Sequence, residues 1–308
     1  MSAPIALFCF NRPEHLRRTL ASLQACDGFD ASDLHVYSDG ARNEAERPSV
    51  MAVRDVLARH LPASATVIAR ESNVGLAVNI IEGTTNLSRR FGRVITIEDD
   101  LLLDPRFLRF MNDALERYAN QPNVFQVAGH MFESPALAGS SQAVALPWPS
   151  SWGWATWKRA WAQFDAQATG WQELATEPGL RRRFNLDGAY DYTTMLERQM
   201  KGEIQSWAVR WYWSVFRAGG LTIYPPFNLV TNIGFDGQGT HGRGLLRRFG
   251  SSSAPPAPSG PIRLREVAAL DPDVCRHVLD ALRRDNGGRL GRVFDRLRRL
   301  LWLVRSRG

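Results

Sequence analysis

Cysteine is scarce in this chain: Cys9, Cys26 and Cys275 are the only three in 308 residues. Their wide spacing excludes a disulfide framework and a cysteine-based zinc site, and fits a reducing compartment. Long apolar runs are missing too. No stretch approaches the roughly 18 uninterrupted apolar residues of a membrane span, and Met1-Ser2-Ala3-Pro4-Ile5 has no basic segment followed by an apolar run. The expected location is therefore the cytoplasm, or the inner membrane face as a peripheral protein. Net positive charge is absent from most of the chain: Leu245 to Gly308 carries 14 arginines against 6 acids, a balance of +8 within a formal total of +7, so residues 1–244 hold about −1. A body without a basic groove argues against nucleic acid as a partner. The length is enough to bury a sizeable core, and no internal repeat is apparent.

Against these absences stands one concentrated feature, Val94-Ile95-Thr96-Ile97-Glu98-Asp99-Asp100. A β-branched run ending in three adjacent carboxylates reads as a buried central strand whose carboxyl end opens into a cleft. Adjacent carboxylates repel unless protons or a metal neutralise them, and an oxygen-loving ion such as Mg²⁺ or Mn²⁺ is the expected guest. The alternative is a solvated acidic turn or a helix cap. Asp104-Pro105 already supplies a cap and a first helical residue, which leaves Glu98, Asp99 and Asp100 without a structural task.

The rest of the first hundred residues repeats a strand–turn–helix rhythm. Strands are expected at Ile5–Phe10, Leu34–Ser38 and Thr66–Ala69, with the acidic strand fourth. Asn11, Arg12 and Pro13 form the first corner, Asp39 and Gly40 the second, and Asn73, Gly75 and Asn79 the third. Four such units predict a mostly parallel sheet covered by helices, with Arg12, Asp39, Asn73 and Asp100 at one edge, where open α/β sheets bind ligands. A helix is expected from Pro105 to about Asn120, then strands at Val124–Ala128 and Ala143–Leu146. A tryptophan-dense loop follows, in which Trp152 and Trp154 are candidates for stacking a sugar ring or for a buried plug. Helices at Phe184–Met200 and Trp207–Arg217, the second an apolar core helix, precede a strand at Leu221–Tyr224. A glycine-rich loop then runs to His241, whose imidazole is placed to join a metal held by the acidic strand. Residues 1–250 read as the main domain, 251–261 as a Pro/Ser-rich linker and 262–308 as a basic helical tail. In that tail Leu290, Val293, Phe294, Leu297 and Leu301 lie opposite arginines, an amphipathic face for an anionic membrane surface, for its own domain or for a partner chain.

Phe10-Asn11-Arg12-Pro13, Ser38-Asp39-Gly40, Asn73-Val74-Gly75 with Asn79, Glu98-Asp99-Asp100 and the loop to His241 together resemble the GT-A glycosyltransferases. The arrangement looks closest to the bacterial family 2 type and to N-acetylglucosaminyltransferases with a Glu-Asp-Asp metal motif, over roughly residues 4–244. The resemblance implies a Rossmann-like α/β fold, a mixed but mostly parallel sheet, and transfer from a UDP-sugar to a glycan or lipid-linked acceptor in cell-surface polysaccharide synthesis, with Mn²⁺ or Mg²⁺. It further implies Arg12 at the diphosphate, Asp39 at the N3 edge of uracil, and Asn73, Gly75 and Asn79 along the nucleotide and sugar. Glu98 would lie near the ribose, with Asp100 on the metal, Asp99 in support and His241 closing over the diphosphate. The Glu-Asp pair that many members carry at the start of the helix beginning near Gln205 is absent. Asp191 is the first candidate base for an inverting transfer, followed by Glu203 and Asp187. Two other readings remain: a sugar-1-phosphate nucleotidyltransferase, and a nucleotide-sugar or glycan-binding protein without turnover.

Overall fold

The computed structural model describes residues 2–132, 134, 137–234, 260–266 and 268–285. An eight-stranded sheet runs in the order β3-β2-β1-β4-β8-β6-β9-β7. Its strands are β1 Ile5–Cys9, β2 Leu34–Ser38, β3 Thr66–Ala69, β4 Arg93–Glu98, β6 Val124–Ala128, β7 Val144–Leu146, β8 Trp154–Trp157 and β9 Leu221–Tyr224. The β3-β2-β1-β4 half is parallel, whereas β8 is antiparallel to both β4 and β6, and β7 to β9. The fold is thus the expected α/β class with a mixed, mostly parallel sheet. Strands β1 and β2 are buried at every position, as unbroken apolar runs must be when helices cover both faces.

The helices are α1 Pro13–Gln24, α2 Arg47–His60, α3 Leu76–Phe91, α4 Phe107–Arg117, α5 Lys158–Trp161, α6 Glu173–Thr176, α7 Pro178–Phe184, α8 Tyr192–Met200, α9 Trp207–Arg217 and α10 Pro272–Asp285. Local chemistry sets their ends. Pro13 opens α1, where a missing N–H costs nothing. Gly75 (φ +84°) precedes α3 and Gly92 (φ +80°) closes it in the left-handed conformation, which glycine adopts without a Cβ clash. On one face of the sheet Ile5, Leu7 and Ile97 pack against Leu16 and Leu20 of α1 and Phe107 and Met111 of α4. On the other, Ala6 and Phe8 meet Ile80 of α3 and Trp211 of α9. A third cluster joins Trp148, Phe184, Leu196 and Tyr224 to Val278 and Leu282 of α10.

Several expectations change. Trp154–Trp157 is not a loop but β8, inserted between β4 and β6, so that Trp154 lies opposite Thr96 and is fully buried. Leu101–Leu103 is a short strand, β5, paired antiparallel with β10, Val230–Asn232. The helix after Asp104 begins at Phe107, because Asp104 turns back to accept from Arg106 N. The span 184–200 is broken by left-handed Leu186 and Asp187 (φ +51° and +52°) into α7, a short 3₁₀ turn and α8. Of residues 262–308, those described contact the main domain: Arg263 and Leu270 bridge to the sheet edge, and α10 joins the third core cluster. His241, the linker up to residue 259 and the amphipathic stripe at 290–304 lie outside the described residues.

Candidate active site

Parallel register brings Phe8 opposite Glu98 and Cys9 opposite Ser38, so the corners after β1, β2 and β4 meet at one edge, as the strand pattern predicts. At that edge Arg12 Nη1 lies 3.1 Å from Asp100 Oδ2. Phe10 N donates to Asp99 Oδ2 (3.1 Å) and Thr19 Oγ1 to the Asp99 carbonyl (2.8 Å). Ile233 N donates to the Asp100 carbonyl (2.8 Å), tying the end of β10 to the acids. A Cβ added at Gly234 would fall 2.2 Å from Asp100 Oδ2 and 2.9 Å from Arg12 Nη1. Only glycine leaves that space open.

The electrostatics are unbalanced. Burial, followed by the charges of Asp100 and Asp99, holds the Glu98 carboxyl well above its usual range, with Arg12 opposing. Burial and Asp100 push Asp99 up to about 7, against Arg12 and the Phe10 N–H. Asp100 is raised by burial and pulled back by Arg12 and then His15. Three half-buried acids share one guanidinium, an environment that favours an added cation. The donor set is hard oxygen, which suits Mg²⁺ or Mn²⁺. Among the described residues no group of three acid, histidine or cysteine side chains is arranged to hold a metal. Asp100, whose Oδ2 faces the space beside Gly234, is the carboxylate of the three that could hold such an ion. Asp99 Oδ2 also braces the end of β1 by accepting from Phe10 N.

The expected nucleotide residues divide. Asp39 is buried, and its carboxylate is saturated: Oδ1 accepts from Gly40 N (2.9 Å) and Val74 N (3.0 Å), Oδ2 from Asn73 Nδ2 (2.9 Å) and Gly75 N (3.0 Å). A carboxylate has about four lone-pair sites, so none is left for a base N–H. Asp39 shapes the loop before α3, a correction to its expected role at uracil. Asn79 is likewise buried, donating to the Gly75 carbonyl and accepting from Arg70 Nε. Gly40 is pressed against Ser72, where a Cβ would lie 2.4 Å from its carbonyl carbon. Asn11, Arg12, Gly75 and Glu98 remain at the open edge.

The candidate bases have local tasks. Asp191 caps α8, accepting from Thr194 N (3.2 Å) and Thr194 Oγ1 (2.7 Å). Glu203 pairs with Arg198 and Asp187 with Arg182, and all three are exposed on the α7–α8 side of the molecule. Trp154 stacks on Trp207 with centroids 5.0 Å apart, a core contact and not a sugar wall. Trp152 is half-buried, edge-on to His130 at 4.5 Å. Sequence reasoning missed His15, Gly234 and Gln205. His15 Nε2 lies 3.3 Å from the Ile233 carbonyl, and its place three residues after Arg12 on a helix was a readable signal. Gln205 brings Oε1 within 3.2 Å of a Cβ built on Gly75.

No family model and no curated protein matches the chain. Solved structures that match include a mannosyltransferase from Pyrobaculum calidifontis in complex with GDP-Man and Mn²⁺, at 14% identity and a TM-score of 0.35, covering 58% of this chain and 47% of that one. Mouse xyloside xylosyltransferase 1 matches at 13% identity and a TM-score of 0.37, covering 71% and 82%. The galactosyltransferase LgtC, in complex with donor and acceptor sugar analogs, matches at 12% and 0.36, covering 71% and 72%. The chain thus spans about half the length of the first of these.

Proposed function

We propose that the chain is a metal-dependent glycosyltransferase that uses a nucleotide-sugar, taken to be a UDP-sugar, and delivers the sugar to a glycan or lipid-linked acceptor with inversion. The observation that carries this reading is the edge cluster: three half-buried acids with raised proton affinity, one arginine, and a glycine keeping the space beside Asp100 open. Departure of a nucleoside diphosphate builds negative charge on its terminal phosphate. Arg12 is the guanidinium in reach of that charge, and its partner Asp100 holds it at the open edge. When bound, a divalent ion supplies further electrostatic stabilisation of the leaving diphosphate. The Asp39 knot fixes the backbone turn that precedes α3, so the nucleotide side of the cleft is formed before ligand arrives.

The test is UDP release from UDP-glucose, UDP-galactose and UDP-N-acetylglucosamine with and without Mn²⁺. Turnover of at least one donor that requires the metal is expected. Gln205 at the start of α9, where a carboxylate pair would suit a base, favours a second reading, nucleotide-sugar binding without turnover. UDP binding with no release from any donor would select it, and stronger binding of free nucleoside triphosphate than of UDP would select a nucleotidyltransferase.

A further inference from the structure

Between α8, α9 and the segment 149–151 lies a cavity of about 140 Å³ whose lining includes Ser150, Ser151, Tyr190, Tyr192, Met195 and Trp207. No residue lining it is charged. The hydroxyls of Tyr118, Tyr212 and Tyr224 are each spent on a backbone carbonyl. Those of Tyr190 and Tyr192 have no hydrogen-bond partner among the described residues, and neither has the Trp207 indole N–H. Burial raises the pKa of both tyrosines, so each remains an O–H donor and acceptor at neutral pH. Their rings lie 4.5 Å apart, tilted by 45°.

Two contacts link the wall of this cavity and the residues before it to elements of the candidate active site. Trp207 stacks on Trp154, which sits opposite Thr96 on β4, two residues before Glu98. Gln205, two residues before Trp207, reaches the space beside Gly75. Aromatic faces with unspent hydroxyls and no charge suit a ligand that has a flat apolar side and a neutral polar rim. A phosphate or carboxylate would enter without a counter-charge, which is costly away from water.

We propose that this cavity binds a neutral pyranose ring, stacked on the aromatic wall with its hydroxyls on Tyr190 and Tyr192. The assignment of that ring to a transfer reaction rests on the function proposed above, while the binding itself does not. Saturation-transfer NMR with methyl β-glucoside, methyl β-galactoside and methyl N-acetyl-β-glucosaminide tests it, with methyl β-glucuronide as the charged control. Transfer to at least one neutral glycoside and none to the glucuronide is expected. Tyr190→Phe and Tyr192→Phe each remove one hydroxyl while keeping the ring, and each is expected to weaken binding about three- to tenfold. Ala208→Leu, which fills the cavity, should abolish binding. Displacement by UDP-glucose but not by UDP would make the ring the donor's own, and no displacement by either would make it the acceptor's.

Absence of transfer to every neutral glycoside, equal transfer to the glucuronide, or full affinity in both phenylalanine variants would overturn the proposal. UDP titration of the same samples separates the two claims. Glycoside binding without UDP binding leaves the cavity assigned and removes the transferase reading, and UDP binding without glycoside binding does the reverse.

Discussion

Replacing Asp39 with Asn tests whether this residue braces the loop before α3 or reads a base. The carboxylate accepts four hydrogen bonds, two on each oxygen. An amide keeps one oxygen and presents an NH₂ to the other two donors, so whichever way it is flipped, two N–H groups lose their acceptor in a site where Asp39 is only 4% exposed. Each buried orphan costs about 1–3 kcal/mol. Because the four bonds share one loop, the losses are not additive, and a total near 3 kcal/mol is expected for Asp39→Asn. At about 2–4 °C per kcal/mol for a domain of this size, Tm should fall by about 6–12 °C. Urea unfolding and a thermal scan at pH 7 supply the measurement. A loss below about 1 kcal/mol, accompanied by a fall in UDP affinity, would refute the brace and return Asp39 to nucleotide recognition.

Trp154→Ala should cost about 3–5 kcal/mol, as expected for a fully buried aromatic, and calorimetry would reveal an error if stability were kept while glycoside binding disappeared. His130 gives a pH signature: burial lowers its pKa from 6.5 to about 4, so between those values the unfolded chain binds more protons than the native one and stability is lost as pH falls. The difference is worth up to about 3 kcal/mol at the low end. His130→Gln should therefore flatten the dependence of unfolding free energy on pH between about 4 and 6.5, and a slope identical to that of the parent protein would contradict the assignment.

The parallel half of the sheet was legible because β1, β2 and β4 are short apolar runs, each stopped by polar residues at a corner. Strand β8 was not. Trp154-Ala155-Thr156-Trp157 sits among Pro, Ser and Gly residues, and its place is set by the non-local pairing of Arg93 with Trp157 and Thr96 with Trp154. Strands β5 and β10, with three residues each, are too short to carry a period. The acids of β4 stood out because no local cap or helix accounted for them. Asp39 was harder to place, since two of its donors are the backbone N–H groups of Val74 and Gly75, more than thirty residues along the chain, and side-chain identity does not reveal where backbone donors will arrive. The neutral aromatic cavity was likewise hidden, because Tyr190, Tyr192 and Trp207 come together only when α8 and α9 pack.

The most direct measurement is calorimetric titration of UDP into the parent protein and Asp100→Asn, each with and without Mn²⁺. The account predicts that Mn²⁺ strengthens UDP binding in the parent and has no such effect in the variant. UDP binding that ignores Mn²⁺, or a variant that responds to the metal as the parent does, would contradict it.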